Sequence, residues 1–251
     1  MRTGPMILAL ALAAAHPAAA DDVADLIAGT RDECRGCDLA DANFKKADLS
    51  GVDLSGATLT GARFHRATLV GTIFAGADAT RANFNLADLR QADFTGATLD
   101  QALFYEAQLS AANLSGAHLA DVRMQHARMT QATLDGATFD RAVMTDVRLN
   151  SASARDATFL QTDLTGASLG RTTFAGATFS HVSIIDADAA RADFTDAQVA
   201  LTDFWGTDLR GADFSRAAIA DSRFTRANMR DAVTEGWTLS RSFMADNAYV
   251  D

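Results

Sequence analysis

Reading from Leu39, every fifth residue is apolar: Leu39, Phe44, Leu49, Leu54, Leu59, Phe64, Leu69, Phe74, and onward without insertion or deletion to Met229. Fourteen of the fifteen phenylalanines occupy these positions, and only Ala79, Ala154 and Ala189 leave them small. Two residues before each one runs a second track, mostly alanine, with Val, Thr, Ser and Cys37 as the exceptions. The other three positions of each pentad are rich in Asp, Asn, Thr, Ser, Arg and Gly. No single regular element buries this pattern. On an α-helix five residues advance about 500°, so successive members drift round the axis. On a straight strand an odd step alternates faces. The chain must turn once per pentad, with the centre of each short extended piece pointing inward. Residues two apart on an extended piece share a face, so the small track also points inward, at the corners.

Segments such as Ala47-Asp48-Leu49-Ser50-Gly51 and Ala92-Asp93-Phe94-Thr95-Gly96 resemble the A(D/N)LXX unit of pentapeptide-repeat proteins. The resemblance covers about residues 37–231. It implies an all-β fold, a right-handed quadrilateral parallel β-helix with four pentads per coil. A twenty-residue step supports four sides independently. The column with Leu49, Leu69, Leu89, Leu109 and Met129 holds no Phe, whereas the column with Phe44, Phe64, Phe84, Phe104, Phe204 and Phe224 holds six. Gly56, Gly76, Gly96, Gly116, Gly136 and Gly176 share one corner, which predicts a distinct turn there. Nearly ten coils spaced by about 4.8 Å make a rod roughly 47 Å long. Ala79 faces only Leu89 across its coil, which predicts looser packing, while Ala189 faces Phe179.

The ends break the period. Residues 1–20 combine Arg2, an apolar run from Met6 to Ala15, and Ala18-Ala19-Ala20, the pattern of a secretory signal peptide. The expected mature chain starts near Asp21 and is periplasmic or secreted, with no later stretch long enough for a membrane span. Residues 21–36 are expected to cap the first coil: Val23, Leu26 and Ile27 have helical spacing before Gly29. Residues 232–251 are expected to close the other end through Trp237, Leu239, Phe243 and Tyr249. Some relatives dimerise through a C-terminal helix, so the resemblance leaves a dimer open.

The chemistry-bearing residues do not converge. Cys34 and Cys37 form a C-x-x-C without the βαβ setting of a redox motif and without a second ligand pair for zinc. A structural role for the two thiols is the expected reading, with their oxidation state left open and redox or metal chemistry the alternative. His65, His118, His126 and His181 do not cluster on the coil geometry. Asp48, Asp88, Asp93, Asp188 and Asp208 precede centres on convex walls, where turn chemistry explains them. No enzyme and no cofactor are expected.

Charge and surface pattern then bear on partners. The formal net charge is −10, and subtracting Arg2 with the leader gives −11. The resemblance implies one acidic role, mimicry of DNA toward DNA gyrase or topoisomerase. Duplex DNA of about 47 Å would carry roughly 28 charges, and here Arg63, Arg66, Arg123, Arg128 and Arg148 interrupt the acidic field. Direct nucleic-acid binding is not expected of an acidic chain. Thr138, Thr158 and Thr178 stack as an ice-binding row would, but His118 and Gln198 break it. Apolar side chains outside the buried tracks gather on one wall: Leu103, Tyr105, Val143, Ile185 and Trp205, with Leu86 at its corner. Val70, Ile73 and Leu160 are scattered over other walls. That wall is the candidate surface for a protein partner or a second copy.

Overall fold

The computed structural model describes residues 18–244 and 249–250. The expected leader lies outside these residues except for Ala18–Ala20, which open the helix α1 (Ala18–Ala28). From Glu33 to Phe243 each parallel bridge joins a residue to the one twenty positions on, so the ladder runs through about ten coils and beyond the expected 37–231 at both ends. The tie is reciprocal: the Leu49 N–H donates to the Thr68 carbonyl at 2.8 Å, and the Thr68 N–H donates to the Ala47 carbonyl at 2.9 Å. Every fifth residue faces the axis, and the centres from Leu39 to Phe224 are fully or almost fully buried. Ala79, Ala154 and Ala189 are buried with them. We name each wall after the first residue of its buried column: the Leu39, Phe44, Leu49 and Leu54 walls.

The bore is filled by stacked rings. Phe44, Phe64, Phe84 and Phe104 stack one per coil, with centroids 5.0, 4.9 and 4.9 Å apart. Phe74 and Phe94 stack on the opposite wall and meet this column edge-on, for example at 5.7 Å between Phe74 and Phe84. Further along, the rings move to the Leu39 wall as Phe139, Phe159 and Phe179. This wall carries the regular strands β1 (His118–Ala120), β2 (Thr138–Asp140), β3 (Thr158–Leu160), β4 (Thr178–Ser180), β5 (Gln198–Ala200), β6 (Ala218–Ala220) and β7 (Thr238–Ser240), all parallel in sequence order.

The expected distinct turn is not at the glycine-rich corner. Left-handed φ occurs at all four corners, at Lys46, Gly51, Gly56 and Gly61 in a single coil. The turns at Gly56, Gly76 and Gly96 are closed by ordinary bonds such as Ala57 N–H to the Leu54 carbonyl at 3.1 Å. The corner that differs follows the Leu39 wall. It is closed after Leu39, Leu59, Ala79 and Leu99. Among the described residues that bond is missing after Leu119, Phe139, Phe159, Phe179, Val199 and Ile219. The inward corner residues there are Val122, Ala142, Thr162, Val182, Thr202 and Ser222, whereas the closed corners of this wall have Ala42, Ala62, Ala82 and Ala102. Bulk alone does not decide closure, since Ala142 stands at an open corner and Val52, Thr72, Val147, Thr172 and Thr207 at closed corners of the other walls. Where the corner is open, hydroxyls take up freed backbone groups. The Thr202 N–H donates to Ser222 Oγ at 3.2 Å, and the Ser222 N–H donates to Ser242 Oγ at 3.1 Å.

The caps differ from expectation in detail. In α1, Leu26 is buried and Val23 half-buried against the core, but Ile27 is 46% exposed. One further helical step, about 100°, carries Ile27 off the packed face. The helix ends at Gly29 (φ +67), where the Gly29 and Thr30 N–H groups return to the Leu26 and Asp25 carbonyls. At the other end Trp237 and Leu239 extend the coil rather than cover it. Trp237 packs 6.1 Å from the Phe214 ring, and Leu239 lies in β7. Phe243 is 45% exposed because it stands one residue before a centre and points outward. Its strand, β8 (Ser242–Phe243), pairs antiparallel with β9 (Tyr249–Val250). Among the described residues no helix is long and apolar enough to cross a membrane.

Candidate functional site

All six residues of the candidate apolar surface lie on the Phe44 wall or at its corner, but they form two patches rather than one. Leu103 and Tyr105 flank Phe104, and the Leu86 N–H donates to the Tyr105 carbonyl at 2.9 Å. Tyr105 is 42% exposed; its ring meets His126 edge-on at 5.7 Å. A hydrogen bond to neighbouring Glu106 raises its phenol above the ordinary value. Ile185 and Trp205 make the second patch on adjacent coils, with the Arg226 guanidinium 5.2 Å from the indole centroid. Val143 stands alone between the patches. Leu86, Leu103, Val143, Ile185 and Trp205 are half-buried. The N-terminal end of the same wall is basic, with Lys45, Lys46, Arg63, His65 and Arg66. Desolvation first, then Arg66, Lys45 and Lys46, lower the pKa of His65.

Leu201 was not anticipated, although it is 48% exposed. It occupies a corner, and the sequence reading weighed mainly positions beside the centres. Testing every left-handed corner position for large apolar residues would have found it.

Cys34 and Cys37 are bonded to each other. Cys34 is fully buried at a centre one pentad before Leu39, so its pentad belongs to the coil. Asp22 approaches both sulfurs, but bonded sulfurs offer no thiolate for a metal. Arg31 instead pairs with Asp22 and donates to the Glu33 carbonyl, fixing α1 to the first coil. This donor set does not fit a metal, and among the described residues it is the one such grouping.

The aspartates before centres act on their own turns. Asp48 Oδ1 accepts the Ser50 N–H at 3.0 Å and the Ser50 hydroxyl at 2.6 Å, which holds the carboxyl below its ordinary range. Asp93, Asp188 and Asp208 accept the N–H two residues on in the same way. Asp88 and Asp208 also bind Arg90 and Arg210, and these hydrogen bonds are the largest cause of their lowered pKa values. Other carboxylates pair with arginines one coil away: Asp121 with Arg141, Asp196 with Arg216, and Asp221 with Arg241.

A rod built from pentads, four to a coil, defines a class of repeat protein. Eight copies of the pentapeptide-repeat model match between residues 37 and 231, and the chain belongs to the pentapeptide-repeat family. Among solved structures it is similar to HetL, a pentapeptide repeat protein involved in heterocyst differentiation regulation in the cyanobacterium Nostoc sp. strain PCC 7120. That match has 22% identity over 92% of this chain and 98% of that one, with a TM-score of 0.42. Full-length QnrB1, a plasmid-mediated fluoroquinolone resistance protein, matches at 19% identity over 69% and 91%, with a TM-score of 0.33. A pentapeptide repeat protein of the Arabidopsis thaliana thylakoid lumen matches at 27% identity over 44% and 70%, with a TM-score of 0.21. No curated protein sequence is significantly similar to the chain.

Proposed function

We propose that this protein is an exported, non-catalytic rod that holds a protein partner, or a second copy of itself, against the Phe44 wall. The observation that carries the reading is the placement of Tyr105 and Trp205, with Leu103 and Ile185, beside buried centres of one wall, where their own coil leaves them partly open to solvent. Aromatic side chains of this kind anchor interfaces. Export is the reading of residues 1–20 together with the bonded cysteines, a pairing that suits an oxidising compartment.

Mimicry of DNA is the weaker reading, because arginines one coil away pair with acids along the surface. The test is the double variant Tyr105→Ala with Trp205→Ala. Light scattering reads self-association, and affinity capture from the envelope fraction, beside a gyrase supercoiling assay, reads partners. Loss of one of the first two with an unchanged melting curve is expected. Unchanged association and capture would overturn the proposal, and inhibition or protection of gyrase at low concentration would favour mimicry.

A further inference from the structure

The Leu49 wall carries six arginines along its C-terminal half: Arg128, Arg148, Arg171, Arg191, Arg210 and Arg230. Arg128 and Arg148 are direct neighbours in the parallel ladder. Like charges placed opposite each other in a sheet are destabilising, so the fold itself gives no reason for the pair. Arg210 pairs with Asp208 at 2.5 Å, and Arg230 lies 3.7 Å from Asp231. Among the described residues Arg128, Arg148, Arg171 and Arg191 form no ion pair.

Four of the arginines surround a groove of about 540 Å³. Its shape follows from a reciprocal pattern. Where the corner residue is Arg171 or Arg191, the residue before it is Gly170 or Ala190; where Arg210 stands before the corner, the corner is Gly211. Long side chains form the rim and small ones the floor. Gly170 is the one glycine among the described residues without a left-handed φ, so space rather than backbone angle explains it. A Cβ there would sit 3.2 Å from Asn150 Nδ2.

We propose that this groove binds an extended acidic peptide segment of a partner protein. Guanidinium groups match carboxylates with two parallel hydrogen bonds. The lining also offers acceptors, at Asp188 and Asp231, and groups of both kinds, at Asn150 and Ser151. A peptide supplies both what the arginines need and the N–H donors these acceptors need. A nucleic-acid backbone presents anionic acceptors alone and would meet the two carboxylates. The site lies on a different wall from Tyr105 and Trp205, so it stands apart from the surface proposed above.

The test is fluorescence anisotropy of a labelled octaglutamate peptide, with octalysine, single-stranded DNA and duplex DNA in parallel. Octaglutamate is expected to bind the full chain, more weakly as salt rises. Arg171→Glu with Arg191→Glu should weaken it about tenfold or more. Arg171→Lys with Arg191→Lys should fall between, because the charge stays but the fork is lost. Tyr105→Ala with Trp205→Ala should leave it unchanged, which separates this site from the Phe44 wall. If the reversed pair unfolds by circular dichroism, Arg171→Ala with Arg191→Ala carries the same expectation. No binding of octaglutamate, equal binding by the arginine variants, or tighter binding of either DNA would overturn the proposal.

Discussion

The Leu39 wall is built in two ways along one rod. In its first coils the buried column is Leu39, Leu59, Ala79 and Leu99, the corner residues are alanine, and each corner is closed by a turn hydrogen bond. From Leu119 onward the column includes Phe139, Phe159 and Phe179, branched or hydroxylated residues enter the corner, and the turn bond is gone. The same wall then forms seven regular strands. Both halves keep the left-handed residue and the twenty-residue register. The contrast teaches that pentad spacing sets the register, while the open corner is shared by consecutive coils of one wall: Ala142 is open with its stacked neighbours, and Val52, Val147 and Thr172 are closed on other walls.

The largest effects should come from the columns. Phe159→Ala in the open half and Phe84→Ala in the closed half should each cost about 3–5 kcal/mol, read from urea unfolding. A clearly smaller loss for Phe159 would mean the open half relaxes around cavities. Next comes a swap of corner residues. Ala82→Val, which adds two methyl groups at a fully buried position, should cost about 1–3 kcal/mol by overpacking. A neutral Ala82→Val would show that the closed corner of the Leu39 wall has room for a branched side chain, as the corners at Val52 and Val147 do. Ser222→Ala should cost about 1–3 kcal/mol, because the buried Thr202 N–H loses its acceptor; hydrogen exchange at Thr202 checks the cause.

The smallest effect is electrostatic. Asp48, Asp53 and Asp78 in the first half are held down chiefly by hydroxyl donors, whereas Asp121, Asp196 and Asp221 are held down chiefly by arginines. Each lowered carboxyl stabilises the fold above its unfolded value, about 3.9, and loses that contribution as pH falls through its lower folded value. Stability should therefore decline only in acid. Added salt should bring the arginine-held group back toward ordinary values in an NMR titration and leave the hydroxyl-held group low. Equal salt shifts in both groups would remove the distinction.

The buried interior was legible because it obeys a strict period: Phe84 or Leu109 can be placed inward from spacing alone. The open corner was not, because the corner residue does not announce it: Ala142 is open, whereas Val147 and Thr172 are closed on other walls. Glycine misled for a related reason. Gly56 and its neighbours suit a left-handed corner, but Lys46, Arg66 and Leu86 hold the same φ elsewhere. Of the surfaces, the Phe44 wall could be read from apolar residues out of pattern. The arginine groove could not, because Arg171 and Arg210 sit in different places of their pentads and meet only when coils stack.

The fixed twenty-residue register has a consequence for how such a chain can change length. Removing one whole coil shortens the rod and keeps every later residue on its original side. Removing a single pentad would turn everything after it by a quarter revolution. Between residues 105 and 171, such a deletion would carry the arginine groove round to the side that bears Tyr105. The relative bearing of the two surfaces is thus counted out in fives, and natural variants that keep both should differ in length by multiples of twenty.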